Sequence, residues 1–132
     1  MPREDCPLRQ GRPCVQIVLA LALGGQPFPR ILLADTGAGS QTSGFELILD
    51  EHDCVLCGGN PLAPVTLGGA YIGSFPTYLL PVQIPALGFA KNLRVVGVPS
   101  ISLRFDGLAC FSFLNRFHYG NFGNSAIFGL EF

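Results

Sequence analysis

Charge is what this sequence has least of: only 13% of its 132 residues are Asp, Glu, Lys or Arg, against roughly 25% in an average soluble domain. The eight basic residues are scattered from Arg3 to Arg116 and the net charge is −1. No dense basic patch is available for phosphates, so no nucleic-acid partner is expected. Long apolar runs are missing too. The run Ile17 to Leu23 behind Arg3, Arg9 and Arg12 resembles a secretory signal superficially, but a membrane span needs about 20 residues, and it reads as a buried strand. No membrane association is expected. The cysteines do not come in an even set: Cys6, Cys14, Cys54, Cys57 and Cys110 make five, which argues against a disulfide framework and for reduced thiols in a cytoplasm. A Gly-x-Ser-x-Gly elbow is lacking, so His118 has no activated serine to serve. There is neither a repeat of solenoid type nor a long linker, and the length suits one domain.

What the chain does have is apolar residues, at 48%, and 17 glycines with 11 prolines. So apolar a surface on a small domain is understandable if a partner covers part of it, which makes oligomerisation an expectation before any motif is read. Residues 1–14 show no periodicity and read as an N-terminal arm, either loosely held or paired with something. Val15 to Leu33 is a hairpin pattern, two β-rich runs around Gly24-Gly25-Gln26-Pro27-Phe28-Pro29. Residues 41–64 are ambiguous. Ser43-Gly44-Phe45-Glu46 has the form of a capping box, while Phe45 to Leu49 reads better as a strand. Val65 to Ile84 is a second hairpin with glycines at its tip, Leu87 to Val98 adds strand, Cys110 to Phe117 suits a helix of about two turns, and Ala126 to Phe132 reads as a terminal strand. The expected fold is all-β with one short C-terminal helix, the domain proper spanning 15–132.

One motif carries chemistry. The apolar run Arg30-Ile31-Leu32-Leu33-Ala34 ends on Asp35-Thr36-Gly37-Ala38-Gly39-Ser40, which presents a carboxylate on a tight turn at the end of a buried strand. An Asp-Thr-Gly triplet by itself is a weak signal. Its context is stronger: a glycine-tipped hairpin, Leu67-Gly68-Gly69-Ala70-Tyr71-Ile72-Gly73, follows some thirty residues later, and Gly107-Leu108-Ala109-Cys110 precedes the helical segment.

That order resembles the retropepsin-like aspartic proteases, the family of the retroviral proteases and their bacterial relatives, over nearly everything from Val15 to Phe132. The resemblance implies a closed β-barrel of the acid-protease single-lobe type and an aspartic endopeptidase. Asp35 would be catalytic, and Thr36, Gly37, Ala38 and Ser40 would support its loop, with Thr36 bonding across a dimer axis. Gly68, Gly69, Ala70 and Tyr71 would form the flap over an extended polypeptide substrate. The sequence departs from the family pattern at Cys110, where a glycine is expected, which questions the packing beneath the loop. The chemistry agrees. Peptide hydrolysis by an activated water needs a general base and a neighbouring acid, and two carboxyls about 3 Å apart share a proton. A chain with one such Asp must obtain the second from a two-fold mate, so a homodimer is expected, with terminal strands such as Ala126 to Phe132 pairing between subunits. No cofactor is expected. The alternative is a non-catalytic dimerisation or peptide-binding module of the same fold.

Two further candidates stand beside this. Asp106-Gly107 lacks the Thr and small residues of a catalytic loop and reads as a turn. Cys54-Val55-Leu56-Cys57, flanked by His52 and Asp53, has the spacing of half a zinc site, for which Cys6, Cys14 or His52 could supply the rest; the plainer reading is two thiols in a loop. The phenylalanines from Phe105 to Phe122 are expected to pack in the core or an interface.

Overall fold

The computed structural model describes residues 1–69, 71–101 and 104–132. Among them run ten strands: β1 (Arg3–Pro7), β2 (Cys14–Ala20), β3 (Pro27–Ala34), β4 (Leu47–Asp50), β5 (Leu62–Leu67), β6 (Gly73–Ile84), β7 (Phe89–Val98), β8 (Gly107–Ala109), β9 (His118–Gly120) and β10 (Ile127–Glu131). Two short helices, α1 (Glu51–Leu56) and α2 (Phe111–Leu114), complete the set with one 3-10 turn at Pro85–Leu87.

The alternation of side chains explains the barrel. On β2, Val15, Ile17 and Leu19 point inward and Gln16 outward; on β6, Tyr78, Leu80, Val82 and Ile84 do the same around exposed Leu79, Pro81 and Gln83. Strands β2-β3-β8-β4-β7-β6 lie side by side, and the pairing of Val18 with Gln83 joins β2 to β6 and closes the ring. The protein is therefore an all-β barrel of six strands, with β5 hanging on the free edge of β6. Pro64 sits in that edge strand, where its missing N–H interrupts no inner ladder.

Strands β4 and β8, the end of β3 from Leu32 to Ala34 and the end of β7 from Val95 to Val98 are buried on both faces, as their continuous apolar runs require. Leu32, Leu47, Leu49 and Val95 face the barrel interior, whereas Leu33, Ile48, Val96 and Leu108 face a second, outer cluster. Covering that outer face are Val65, Leu67, Tyr71 and Phe75 from the β5–β6 hairpin. The hairpin therefore folds back over the wall from which Asp35 emerges. At one end of the barrel Phe89, Phe113, Phe117 and Phe132 stack with ring centroids 5.2–5.9 Å apart. Burial of Phe113 and Leu114 at 0% exposure, worth about 2–3 kcal/mol each, is what holds so short a helix as α2.

Three features sharpen or correct the sequence reading. The first is α1, a second helix within the ambiguous stretch. Asp50 caps it, its Oδ1 accepting from the His52 N–H at 2.8 Å, and Glu51 and Asp53 lie in its first turn. Ser43, the residue weighed as a cap, instead accepts from the Ser40 N–H within a loop. The second is the arm 1–14, which is ordered: β1 pairs with β10 from Arg3↔Glu131 to Pro7↔Ile127, and the chain then reverses through Gln10 (φ 55°) and Gly11 (φ 72°), the pair of positive φ values that a tight hairpin turn demands. The third follows from it. Strand β10 lies between β1 and β9 of its own chain, so both its edges are taken and it cannot also pair with a mate as expected for Ala126 to Phe132.

Candidate functional site

Asp35 is placed by backbone bonding on both sides. Strand β3 runs parallel to β8, Leu33 beside Leu108 and Ala34 beside Ala109, and the Asp35 N–H donates to the Ala109 carbonyl at 2.9 Å. The Ala34 N–H donates to Pro13 at 3.0 Å, which brings Arg12 to the same place. Beyond the strand the chain turns at once: the Ala38 N–H returns to the Asp35 carbonyl at 3.2 Å and the Gly37 N–H donates to Asp35 Oδ1 at 3.0 Å. A Cβ on Gly37 would stand 3.3 Å from that oxygen, so glycine suits the close approach. Gly39 has φ +74°, and a Cβ there would meet Ser43 Oγ at 2.8 Å.

The remaining loop residues divide between structure and surface. Ala38 accepts from the Phe111 N–H at 2.9 Å, tying the loop to the start of α2, and Ser40 is bonded to Ser43 and Thr42. Thr36 is exposed and makes no side-chain hydrogen bond among the described residues. Cys110 is fully buried, and its Cβ lies 4.0 Å from where a Cβ on Gly39 would stand. The larger residue fits under the loop, and the Cys110 N–H bonds Glu46 at 3.0 Å. Burial first, and then the negative charges of Asp35 and Glu46, push the Cys110 thiol up to about 12. With no exposed surface, it is out of reach of any partner in solution and packs beneath the loop.

Asp35 faces a cavity of about 360 Å³ lined by Arg12, Leu33, Gly37, Ala38, Ile48, Gly68, Gly69, Tyr71 and Leu108. The loop and the tip of the β5–β6 hairpin, separated by some thirty residues, thus share one space. Gly68, Gly69 and Tyr71 of the expected flap are there; Ala70 lies outside the described residues. The Tyr71 hydroxyl is buried and has no hydrogen-bond partner among the described residues. Asp35 is the one carboxylate among the residues that line it.

Sequence reasoning missed the floor and rim of this cavity. Leu33, Ile48 and Leu108 look in the sequence like any strand leucine or isoleucine, and which face they take depends on strand register. Arg12 was one scattered cation among eight; only the Ala34–Pro13 bond sets it beside Asp35.

The other candidates go elsewhere. The Asp106 carboxylate accepts from the Ile31 N–H at 2.9 Å, and the Asp106 N–H donates to the Ile31 carbonyl at 2.9 Å, so the residue pins a turn against β3. Cys54 is fully buried in the barrel core, pushed up to about 12 by burial and then by its acidic neighbours Asp53, Asp50 and Glu51. Burial also raises Cys57. Asp53, one residue away, forms a bidentate pair with Arg30 at 2.7 and 3.1 Å, and that guanidinium stacks 3.7 Å above the Phe28 ring. Among the described residues no three His, Cys, Asp or Glu side chains converge as a metal site would need; Cys54 packs into the core from helix α1, not from a loop. No helix among the described residues is long and apolar enough to cross a membrane. No protein-family model, curated protein or solved structure significantly matches the chain.

Proposed function

We propose that the protein is an aspartic endopeptidase of retropepsin type, active as a homodimer in which Asp35 of each subunit supplies half of a catalytic dyad. The observation that carries this reading is the cavity in which the Asp35 loop and the glycine-tipped hairpin meet. A carboxylate at the end of a buried strand, with Gly37 folded against its Oδ1, is held in one orientation by groups that themselves cannot move far. Its neighbours in the cavity are apolar or neutral apart from Arg12, so no second acid stands among the described lining residues to share the proton.

In the dyad, one carboxylate removes a proton from water while the other, protonated, donates to the carbonyl oxygen of the scissile bond; the roles are exchanged as the amine departs. Exposed Thr36 is free to meet its counterpart beneath the two aspartates. The β5–β6 hairpin would close over an extended substrate, bonding its main chain as an added strand, and Leu33, Ile48 and Leu108 favour apolar side chains beside the cut.

The test is cleavage of a mixed peptide library, with a pepstatin-type transition-state mimic as the competitor. Cleavage with a bell-shaped profile centred on the acid side of neutrality, suppressed by that mimic and indifferent to chelators, supports the proposal. A protein that binds library peptides without cutting them at any pH is instead the non-catalytic module.

A further inference from the structure

Away from that cavity, two thiols from different parts of the fold meet. Cys6 lies in β1 of the three-stranded terminal sheet and Cys14 opens β2 of the barrel, yet their Sγ atoms are 3.1 Å apart. Cys14 is 1% exposed and also reaches the Pro7 carbonyl at 3.3 Å, while Cys6 is only partly buried. No other pair among the five cysteines brings its sulfurs into such contact. Beside the two lies a small cavity, about 10 Å³, lined in part by Glu4, Val15 and Phe128.

We propose that Cys6 and Cys14 are a dithiol–disulfide couple whose oxidant is a low-molecular-weight disulfide of the glutathione class, and whose closure fastens the terminal sheet to the barrel. A disulfide needs its sulfurs at about 2.05 Å, so the pair must close by about an ångström, a movement that the adjoining cavity and the partly exposed position of Cys6 allow. Access decides the order of events. The Cys6 thiolate attacks the external disulfide, forming a mixed disulfide and expelling one thiolate, which takes up a proton. Cys14 then attacks the Cys6 sulfur, and the second external thiol departs with the proton Cys14 gives up. Two protein thiols lose two electrons in all, and one external disulfide gains them to become two thiols.

Burial, followed by the hydrogen bond to Cys14, pushes the Cys6 thiol up to about 12, which keeps its thiolate scarce near neutral pH and makes the exchange slow. The product is correspondingly persistent. Closing the 6–14 ring removes freedom from the unfolded chain and ties down β1, and through the β1–β10 ladder the C-terminal strand as well.

The experiment is overnight incubation of the folded full chain in a buffer of oxidised and reduced glutathione, followed by thiol counting, non-reducing peptide mapping and thermal melting. The expected result is a fall from five titratable thiols by two, a linked peptide pair containing Cys6 and Cys14, and a Tm raised by roughly 5–10 °C, all reversed by dithiothreitol. Cys6→Ser, at the less buried position, should melt close to the reduced wild type and show no rise under the oxidising buffer. Retention of all five thiols, a stable glutathione adduct on Cys6, linkage of Cys54 to Cys57 instead, or an oxidised chain that melts no higher than the reduced one would each overturn the proposal. None of these outcomes depends on peptidase activity.

Discussion

Asp35 leaves the barrel wall at the end of β3 and stands partly buried beside a cavity, whereas Cys54, in the equally suggestive Cys54-Val55-Leu56-Cys57 run, is sealed inside the core. Both belong to short motifs of chemically able residues. The difference lies in what surrounds them. Around Asp35 the backbone bonds of Gly37, Ala38 and Ala109 fix the carboxylate while leaving it a space to act in. Around Cys54, full burial in the core closes the thiol off from any partner in solution, and burial and the neighbouring acidic groups raise its pKa. A reactive side chain becomes a candidate site only where the fold gives it both a held geometry and an open volume.

Substitutions can break this contrast at either end. The largest effect is expected from Asp35→Asn, which keeps the shape and removes the acid–base function: peptidase activity should fall roughly 10³–10⁴-fold with an unchanged circular dichroism spectrum, while Cys57→Ser should leave activity within a factor of two. Comparable activity loss in both would dissolve the contrast. Next comes Gly107→Ala, where a Cβ would stand 2.3 Å from the Ile48 carbonyl oxygen. Strands β8 and β4 cannot separate without releasing the support of the Asp35 loop, so urea unfolding should register a loss of about 3 kcal/mol. A variant as stable as wild type would mean that this close packing is wrongly described.

Asp53→Ala probes the structural end. It strips the bidentate partner from Arg30, itself about a quarter exposed at the side chain, and should cost about 2 kcal/mol with kcat and KM unaltered. A change in kcat would draw α1 into the site after all. The smallest effect belongs to Arg12, the one cation lining the cavity. Arg12→Gln should lower kcat/KM about threefold for peptides with Glu near the cut relative to their Gln counterparts, the scale of a solvent-exposed ion pair. An unaltered Glu-to-Gln ratio would place its guanidinium outside the reach of substrate.

Much of this architecture was legible in advance because β periodicity and turn residues are local signals. The two hairpins, the strand that ends on Asp35 and the short helix near Phe113 all follow from alternation, glycine and proline. What could not be read was longer in range. The α1 helix depends on Asp50 serving as a cap, a role it shares in sequence with any turn aspartate. The pairing of β1 with β10 joins the two ends of the chain, and an arm rich in Arg, Glu and Pro gives no periodicity from which to infer it. That pairing also alters the dimer proposed above: with β10 enclosed between β1 and β9, such a dimer would have to form at the exposed Thr36 loop or on the outer edges of β1 and β9. Likewise the cavity needed the register of β3 against β8, since a shift by one residue would turn Leu33 and Leu108 into the barrel and take the apolar floor away.

The central claim is that catalysis requires two copies of Asp35, and dilution tests it most directly. Specific activity on a cleavable library peptide, measured across a wide concentration range and set beside sedimentation velocity at the same concentrations, should fall in step with dissociation of the dimer. Mixing excess Asp35→Asn chain into wild type should suppress activity further by forming one-aspartate heterodimers. Full activity per subunit at concentrations where the protein sediments as a monomer would contradict the account.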